Sequence, residues 1–277
     1  MLYQPAPSIR PGSVPVNLLT STAELPDRVR AYDKWRSGLT WRSIVSLSTD
    51  VGPQPCGTTD WPEPVEDPDE VRVTPFTIRA IHGCEGLVDS SEYESEITDA
   101  LDDQAPWLIA REFWTGSQGG QSLQSTATAI GGTGDVSGVI DDLIANHQDA
   151  TKGGRTIIHL PRRALSGLAR DLGVKRAGTR LLLPDDTVVI PGPGYPNAPG
   201  NYGPLSDPDD LESGTPAASG QLWIYATGPV MVGRGPVQVS DAGEGVAARQ
   251  NLVEFYAQQP AIVAFDSTHV FAGLADL

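Results

Sequence analysis

The chain has 277 residues, 39% apolar and 19% charged, which excludes a disordered chain or a coiled coil and allows one large domain or two small ones. Its formal net charge of −16 argues against a protein that wraps a phosphate backbone. No run approaches the ~20 apolar residues of a membrane helix, and 30 Gly with 24 Pro predict many turns and long excursions.

Residues 1–38 read as an extended arm. Prolines at 5, 7, 11, 15 and 26 fix φ and remove backbone donors, so neither a helix nor an inner strand is expected there. The exception is one short helix over Leu25–Arg36, with Pro26 in its first turn. The opening MLYQPAPSIRPGSVPVNLL has neither a basic start nor a continuous apolar stretch and does not read as a signal peptide. LTWRSIVSL (Leu39–Leu47) alternates as a strand, and VRVTPFTIRAI brings the chain back as a second strand. Between them lie more than 20 residues rich in Pro, Gly and acid, a length of loop that usually has a task.

A long helix is expected over Ser91–Trp114. Ser91 and Glu94 fit a capping box, and Tyr93, Ile97, Leu101, Ala105 and Leu108 recur as one apolar stripe. Acids at 92, 94, 96, 99, 102 and 103 fill the other face, and Pro106 predicts a kink. TGSQGGQSLQSTATAIGGTGDVSG then reads as a small-residue linker, followed by a helix in DVSGVIDDLIANHQDA. GRTIIHLPRRALSGLARDLGV reads as a strand, a Pro at the first helical position, and a helix with Leu165, Leu168 and Leu172 inward. TRLLLPDDTVVIPGPGYP predicts two short strands around a Pro-Asp-Asp turn. Residues 191–220, GPGYPNAPGNYG included, read as a surface loop, and the remainder is strand-rich.

Catalytic and ligand motifs fail on the residues they need. GSQGGQ lacks the Lys-Ser/Thr of a phosphate loop and follows a helix instead of preceding one. His82, His147, His159 and His269 form no HxxxH or HExxH pair; His159, at a strand end, and His269, among apolar strand residues, read as structural. EDPDE and DSSEYESE lack the spacing and central glycine of a calcium loop, and Ser137 and Ser166 sit in no GxSxG elbow. Cys56 and Cys84 have no metal-ligand spacing and read as free thiols, although a bridge would tie a loop to a strand. No metal, cofactor or catalytic residue is therefore expected.

The order of parts is informative: arm, long two-stranded loop, acidic helix ending in REFWTG, helix-strand-helix unit, terminal strand set. It resembles the major capsid proteins of tailed bacteriophages, the Hong Kong 97 fold shared with encapsulins and herpesvirus capsid floors, and in particular those of actinobacterial phages. GRTIIHLPRRALSGL is similar to the strand-Pro-helix of that family's axial domain. LWIYATGPVMVGRGPVQV resembles its late strands, and VEFYAQQPAIVAFDSTHVFAGLADL its closing pair.

The resemblance implies an α+β fold: an N-terminal arm at 1–38 and an E-loop hairpin at 39–75. A peripheral domain would comprise 76–130 and 228–262, with the spine helix at about 91–114, and an axial domain 131–227 and 263–277. It implies a shell protein, not an enzyme, that assembles with itself into hexamers and pentamers, with scaffolding, portal or decoration proteins as further partners. The virion would be built in the host cytoplasm and enclose DNA without binding it specifically, with no membrane contact. Scaffolding would come from another protein or from none, and no crosslinking position is assigned. Arg10, Trp35, Arg36, Trp41, Cys56 and Trp61 are expected at subunit interfaces. Trp107, Phe113 and Trp114 are expected to anchor the helix end in the core, with Gly116, Gly119 and Gly120 turning the chain toward the axial domain. The alternative is an encapsulin-like nanocompartment enclosing a cargo enzyme; a hydrolase would need convergent polar residues that are not in evidence.

Overall fold

The computed structural model describes residues 18–24, 36, 38–42, 70–85, 90–117, 120–165, 168, 172–196, 202–207, 210, 213–241 and 252–277. Two sheets and one long helix organise them. Strand β13 (Leu252–Phe265) is the centre of a five-stranded sheet. On one side it pairs antiparallel with β4 (Phe76–Glu85). On the other it pairs with β12 (Gln238–Asp241) and β11 (Val230–Arg234), and β1 (Ala23–Glu24) adds to β11 in parallel. Ala257 faces Ala80 on one side and Val239 on the other, which fixes this arrangement.

The seven-stranded sheet runs in the order β5 (Thr128–Asp135), β14 (Phe271–Asp276), β10 (Gln221–Thr227), β6 (Ile157–Pro161), β9 (Val188–Gly192), β8 (Arg180–Leu182), β7 (Lys175–Ala177). β10 joins β14 and β6 antiparallel, whereas β5–β14 and β6–β9 are parallel. Period-2 alternation divides its side chains between two cores. Ile157, Val188, Ile190, Trp223 and Tyr225 face the core of the long helix. Ile158, Leu160, Val189, Leu222, Ile224 and Ala226 face a second core under the helix Val136–Ala150. Both faces being covered, β6 and β9 are buried at every position.

The long helix (α2, after α1 at Leu18–Ser21) spans Ser90–Thr115, 26 residues and ~39 Å. Ile97, Leu101, Ala105, Ile109 and Phe113, spaced four apart, are buried against β13 and β4, and the exposed Glu94, Glu96, Asp99, Asp102 and Asp103 keep the opposite face wet. The stripe thus continues through Ile109, with Leu108 half-buried. Ser91 lies inside the first turn, and the helix continues unbroken through Pro106.

Several expectations are corrected. The arm contains the short helix α1 and the edge strand β1, within a stretch free of proline, and Leu18 is fully buried. Residues 25–35 of the expected helix at 25–36 and the tip of the long loop lie outside the described residues. VRVTPFTIRAI is not one strand: Pro75 separates β3 (Glu70–Val73) from β4, and only β3 pairs with β2 (Leu39–Arg42), as the two-stranded unit expected. Its Val71 and Val73 cover Ile262 on the outer face of the five-stranded sheet. The supposed linker holds a one-turn helix (α3, Leu123–Thr126) and strand β5; its glycines hid an edge strand whose ladder comes from β14. α4 (Val136–Ala150) follows, capped by the Asp135 carboxylate, which accepts from the Gly138 amide at 2.7 Å. Pro161 ends β6 and leads into a 3-10 turn at Arg162–Ala164. His269 lies in the turn between β13 and β14, not in a strand.

Candidate functional site

The exit of α2 is where the two sheets meet, and aromatic rings fill the junction. Phe113 packs edge-on against His159 (5.1 Å between centroids) and Phe265 (5.0 Å), so it touches both sheets. Trp114 lies 4.6 Å from Tyr195 and 4.6 Å from Tyr225. All of these rings are buried, and contacts of this geometry add ~0.5–1.5 kcal/mol each beyond area burial. Trp107, two turns earlier on the same side, is 41% exposed, and Arg111 stacks over its ring at 5.2 Å.

Gly116 ends the helix with φ +67° and its amide on the Glu112 carbonyl at 2.8 Å. A Cβ there would lie 2.8 Å from the Gly120 carbonyl and 2.9 Å from the Ser122 hydroxyl, so only glycine fits. Gly119 lies outside the described residues. Ser122 and Ser125 then cap α3 reciprocally. The segment read as a surface loop is partly core: Tyr195 is 1% exposed, and Gly194 approaches the Trp107 carbonyl and Arg111 amide so closely that a Cβ would collide. Sequence reasoning missed Tyr195, whose signal was the Pro-Gly-Pro-Gly run that brings backbone against helix.

His159 sits in this junction with both ring nitrogens satisfied. Nε2 is 2.9 Å from the Thr227 hydroxyl and Nδ1 3.0 Å from the Tyr195 hydroxyl. Thr227 donates its one proton to the Gly228 carbonyl at 2.9 Å, so it accepts from Nε2–H, and Tyr195 donates to Nδ1. The ring is neutral, its pKa lowered to about 3 by complete burial. Burial also raises the Tyr195 and Tyr225 phenols well above their ordinary range. His147, on α4, meets the Thr156 hydroxyl through Nδ1 at 2.9 Å and the Phe271 ring edge-on at 6.4 Å. Its pKa falls to about 4, chiefly through burial, with His269 lowering it further and Asp266 opposing. Both histidines flank the chain crossings between the sheets, at Thr227–Val230 and Phe265–Phe271. Hydroxyls and rings surround them, an arrangement that holds position and offers no nucleophile–base pair.

Two surface grooves flank the junction. One, of about 420 Å³, runs between β4 and α2 and is lined by Phe76, Ile78, Arg79, Leu108, Arg111 and Glu112; Glu112 is 7% exposed and accepts from Ser117 at 2.6 Å. The other, of about 360 Å³, is lined by half-buried Arg36 with Pro75, Phe76, Gln238, Gln258 and Pro260. Of the residues expected at interfaces, Arg36 lines this second groove and Trp41 stands in β2 opposite Val71. Arg10, Trp35, Cys56 and Trp61 lie outside the described residues. Cys84 pairs with Val253 in the β4–β13 ladder. Among the described residues no three His, Cys, Asp or Glu side chains gather as a metal site.

No protein-family model and no curated protein matches the chain. Solved structures do match its fold, over its whole length. A chain from the capsid of an empty GTA particle aligns with 100% of this chain and 96% of its own, at a TM-score of 0.58 and 11% identity. A chain of Microbacterium phage Oxtober96 aligns with 100% and 96%, at 0.56 and 12% identity. A chain of Mycobacterium phage Ogopogo aligns with 99% and 97%, at 0.54 and 10% identity. The chain has the fold of phage capsid structures, actinobacterial phages among them.

Proposed function

We propose that this chain is the major capsid protein of a tailed bacteriophage, which assembles with itself into hexamers and pentamers and closes an icosahedral shell around DNA. The observation that carries the reading is whole-chain agreement of fold with capsid structures at 10–12% identity, with nothing left over for a separate catalytic domain. In this reading residues 1–38 are an arm and 39–75 an E-loop whose base is the β2–β3 pair. α2 is the spine of a peripheral domain (76–130, 228–262), and the seven-stranded sheet lies mainly in an axial domain (131–227, 263–277). Trp107, Phe113, Trp114 and Gly116 mark the joint between them.

Physical chemistry supports such a role. An arm and a long loop that one subunit cannot bury are accepted by neighbours, and many modest contacts add up through ring closure. Arg10, Trp35, Arg36, Trp41, Cys56 and Trp61 are the contacts we assign to neighbours. A net charge of −16 suits a wall that encloses DNA without gripping it. The role is structural, with scaffolding, portal and decoration proteins as partners of the finished head and assembly in the host cytoplasm.

Electron microscopy of the purified protein tests this: capsomer rings or closed shells are expected, and a chain that stays monomeric at high concentration overturns the reading. Removing residues 50–70 should leave a folded subunit that forms no shells; particles of normal size would remove the loop from the interface.

A further inference from the structure

The charge of this acidic chain is sorted by position, and the sorting follows the seven-stranded sheet. Residues 151–186 carry eight Lys or Arg against three acids, whereas 128–150 carry four Asp and no Lys or Arg. Of the first stretch, Lys175, Arg176 and Arg180 stand in β7 and β8 at one end of the sheet, while Lys152, Arg155, Arg162 and Arg163 flank its central strand β6; the second stretch, with β5 and α4, lies at the other end.

At the β7 edge, Lys175 and Arg180 are exposed and have no carboxylate partner among the described residues, and Arg176 is exposed beside them. Every residue of β7 is exposed, an unusual state for a strand. Register assigns these cations to both faces: Lys175 lies opposite Leu182, which packs in the α2 core, and Arg176 lies opposite Leu181, which packs in the α4 core. Hence the sheet edge itself, not one face, is basic. Asp185 and Asp186 lie at the β8–β9 turn, where Asp185 is occupied in holding Thr187.

At the β5 edge, Asp135 and Asp276 stand side by side in the β5–β14 ladder, and α4 lies over β5, β14 and β10 carrying Asp141, Asp142 and Asp149. All five are exposed. Among the described residues β5 and β7 each pair on one side only. The two edges are separated by six strand spacings, ~29 Å, more than three Debye lengths at physiological salt. They are thus too far apart to neutralise each other within one subunit.

We infer that the basic β7 edge of one copy docks against the acidic β5–α4 edge of the next, and that this head-to-tail contact sets the order of subunits around a capsomer. The proposal rests on the capsid reading and names surfaces within it. An interface between two different patches of the same chain is heterologous, and such contacts close into rings when the rotation allows. Opposite charge at the two edges also guards against the flipped arrangement, in which like edges would meet, and steers encounter. The occupant favoured is a second copy and not DNA, because the cations straddle both faces of an edge and the matching anions are present on the same fold.

The test uses two charge reversals of the full chain, Lys175→Glu with Arg180→Glu, and Asp141→Lys with Asp142→Lys, with assembly followed by light scattering and electron microscopy. Each reversal alone should raise the concentration needed for assembly at least ~100-fold, from like-charge cost. Assembly should return when all four changes are made in one chain and when the two reversed chains are mixed. Single reversals that assemble like the parent would overturn the proposal while leaving the capsid reading intact. So would lost assembly that neither the fourfold chain nor the mixture restores. A parent chain that forms no oligomer at all would overturn both readings.

Discussion

The two sheets treat their faces differently. The seven-stranded sheet is buried on both sides, by α2 on one and α4 on the other, and its central strands are apolar at nearly every position. The five-stranded sheet is buried by α2 on one face only. On the other, the β2–β3 unit covers Ile262 while Thr77, Arg79, Ile81 and Gln258 remain exposed. The fully covered sheet is a fixed mass to which the helix end is anchored, whereas the half-covered sheet keeps a face and grooves for other contacts. Single substitutions should therefore separate the two.

The largest effect is expected where both sheets share one aromatic cluster. Trp114→Ala should lower unfolding stability by about 3–5 kcal/mol, since it empties a site enclosed by Tyr195 and Tyr225. A loss under about 1 kcal/mol by urea titration would mean the junction is not close-packed.

A smaller, pH-dependent difference belongs to the seven-stranded sheet and the helix α4 that covers it. His159 and His147 stay neutral in the fold with pKa values near 3 and 4, below the ordinary 6.5. Between those values and 6.5 the unfolded chain binds protons that the folded chain refuses, so stability falls as pH drops from 6.5 toward 4. Each refused proton contributes up to ~1.4 kcal/mol per pH unit. His159→Gln, which does not titrate, should show a shallower fall than the parent between pH 6.5 and 4.5. Parallel curves for the two proteins would count against a neutral His159.

The smallest effect is expected on the open face. Ile81 is 67% exposed, and Ile81→Ser should change subunit stability by no more than about 0.5 kcal/mol. A cost above about 1.5 kcal/mol in isolated subunits would show that this face is covered within the subunit after all.

The same asymmetry decides what could be read from residues alone. TIIHL, TVVIP and LWIYAT are unmistakable because a strand covered on both faces is apolar throughout. α2 was legible because its wet face is acidic and its stripe regular. β5 was not, since AIGGTG has the composition of a linker and becomes a strand only through its parallel neighbour β14. Tyr195 was hidden for a related reason: Gly192 lets the backbone approach its ring, and Gly194 brings the turn against α2 at Trp107 and Arg111, a contact remote in sequence. The break at Pro75 was misread although the apolar alternation shifts phase there, from Val71 and Val73 to Phe76 and Ile78, as the hydrogen-bonding partner changes from β2 to β13. Trp107 and Trp114, seven residues apart, look alike in sequence, and only packing tells them apart: Tyr195 and Tyr225 enclose Trp114, while Trp107 is exposed.

The placement of β13 and β14 also sets a timetable. β13 is the centre of one sheet, and β14 lies between β5 and β10 in the other, so the five-stranded sheet cannot close until residue 265, nor the seven-stranded sheet until residue 276, has left the ribosome. At ~5–20 residues per second, the 25 residues from Leu252 to Asp276 take a few seconds to synthesise. During that interval the acidic edge strand β5 has no ladder, because β14 supplies it. On the docking proposed above, a nascent chain has its basic edge in hand while its acidic edge still lacks the β14 ladder, so pairing with a neighbour would wait until synthesis has passed β14.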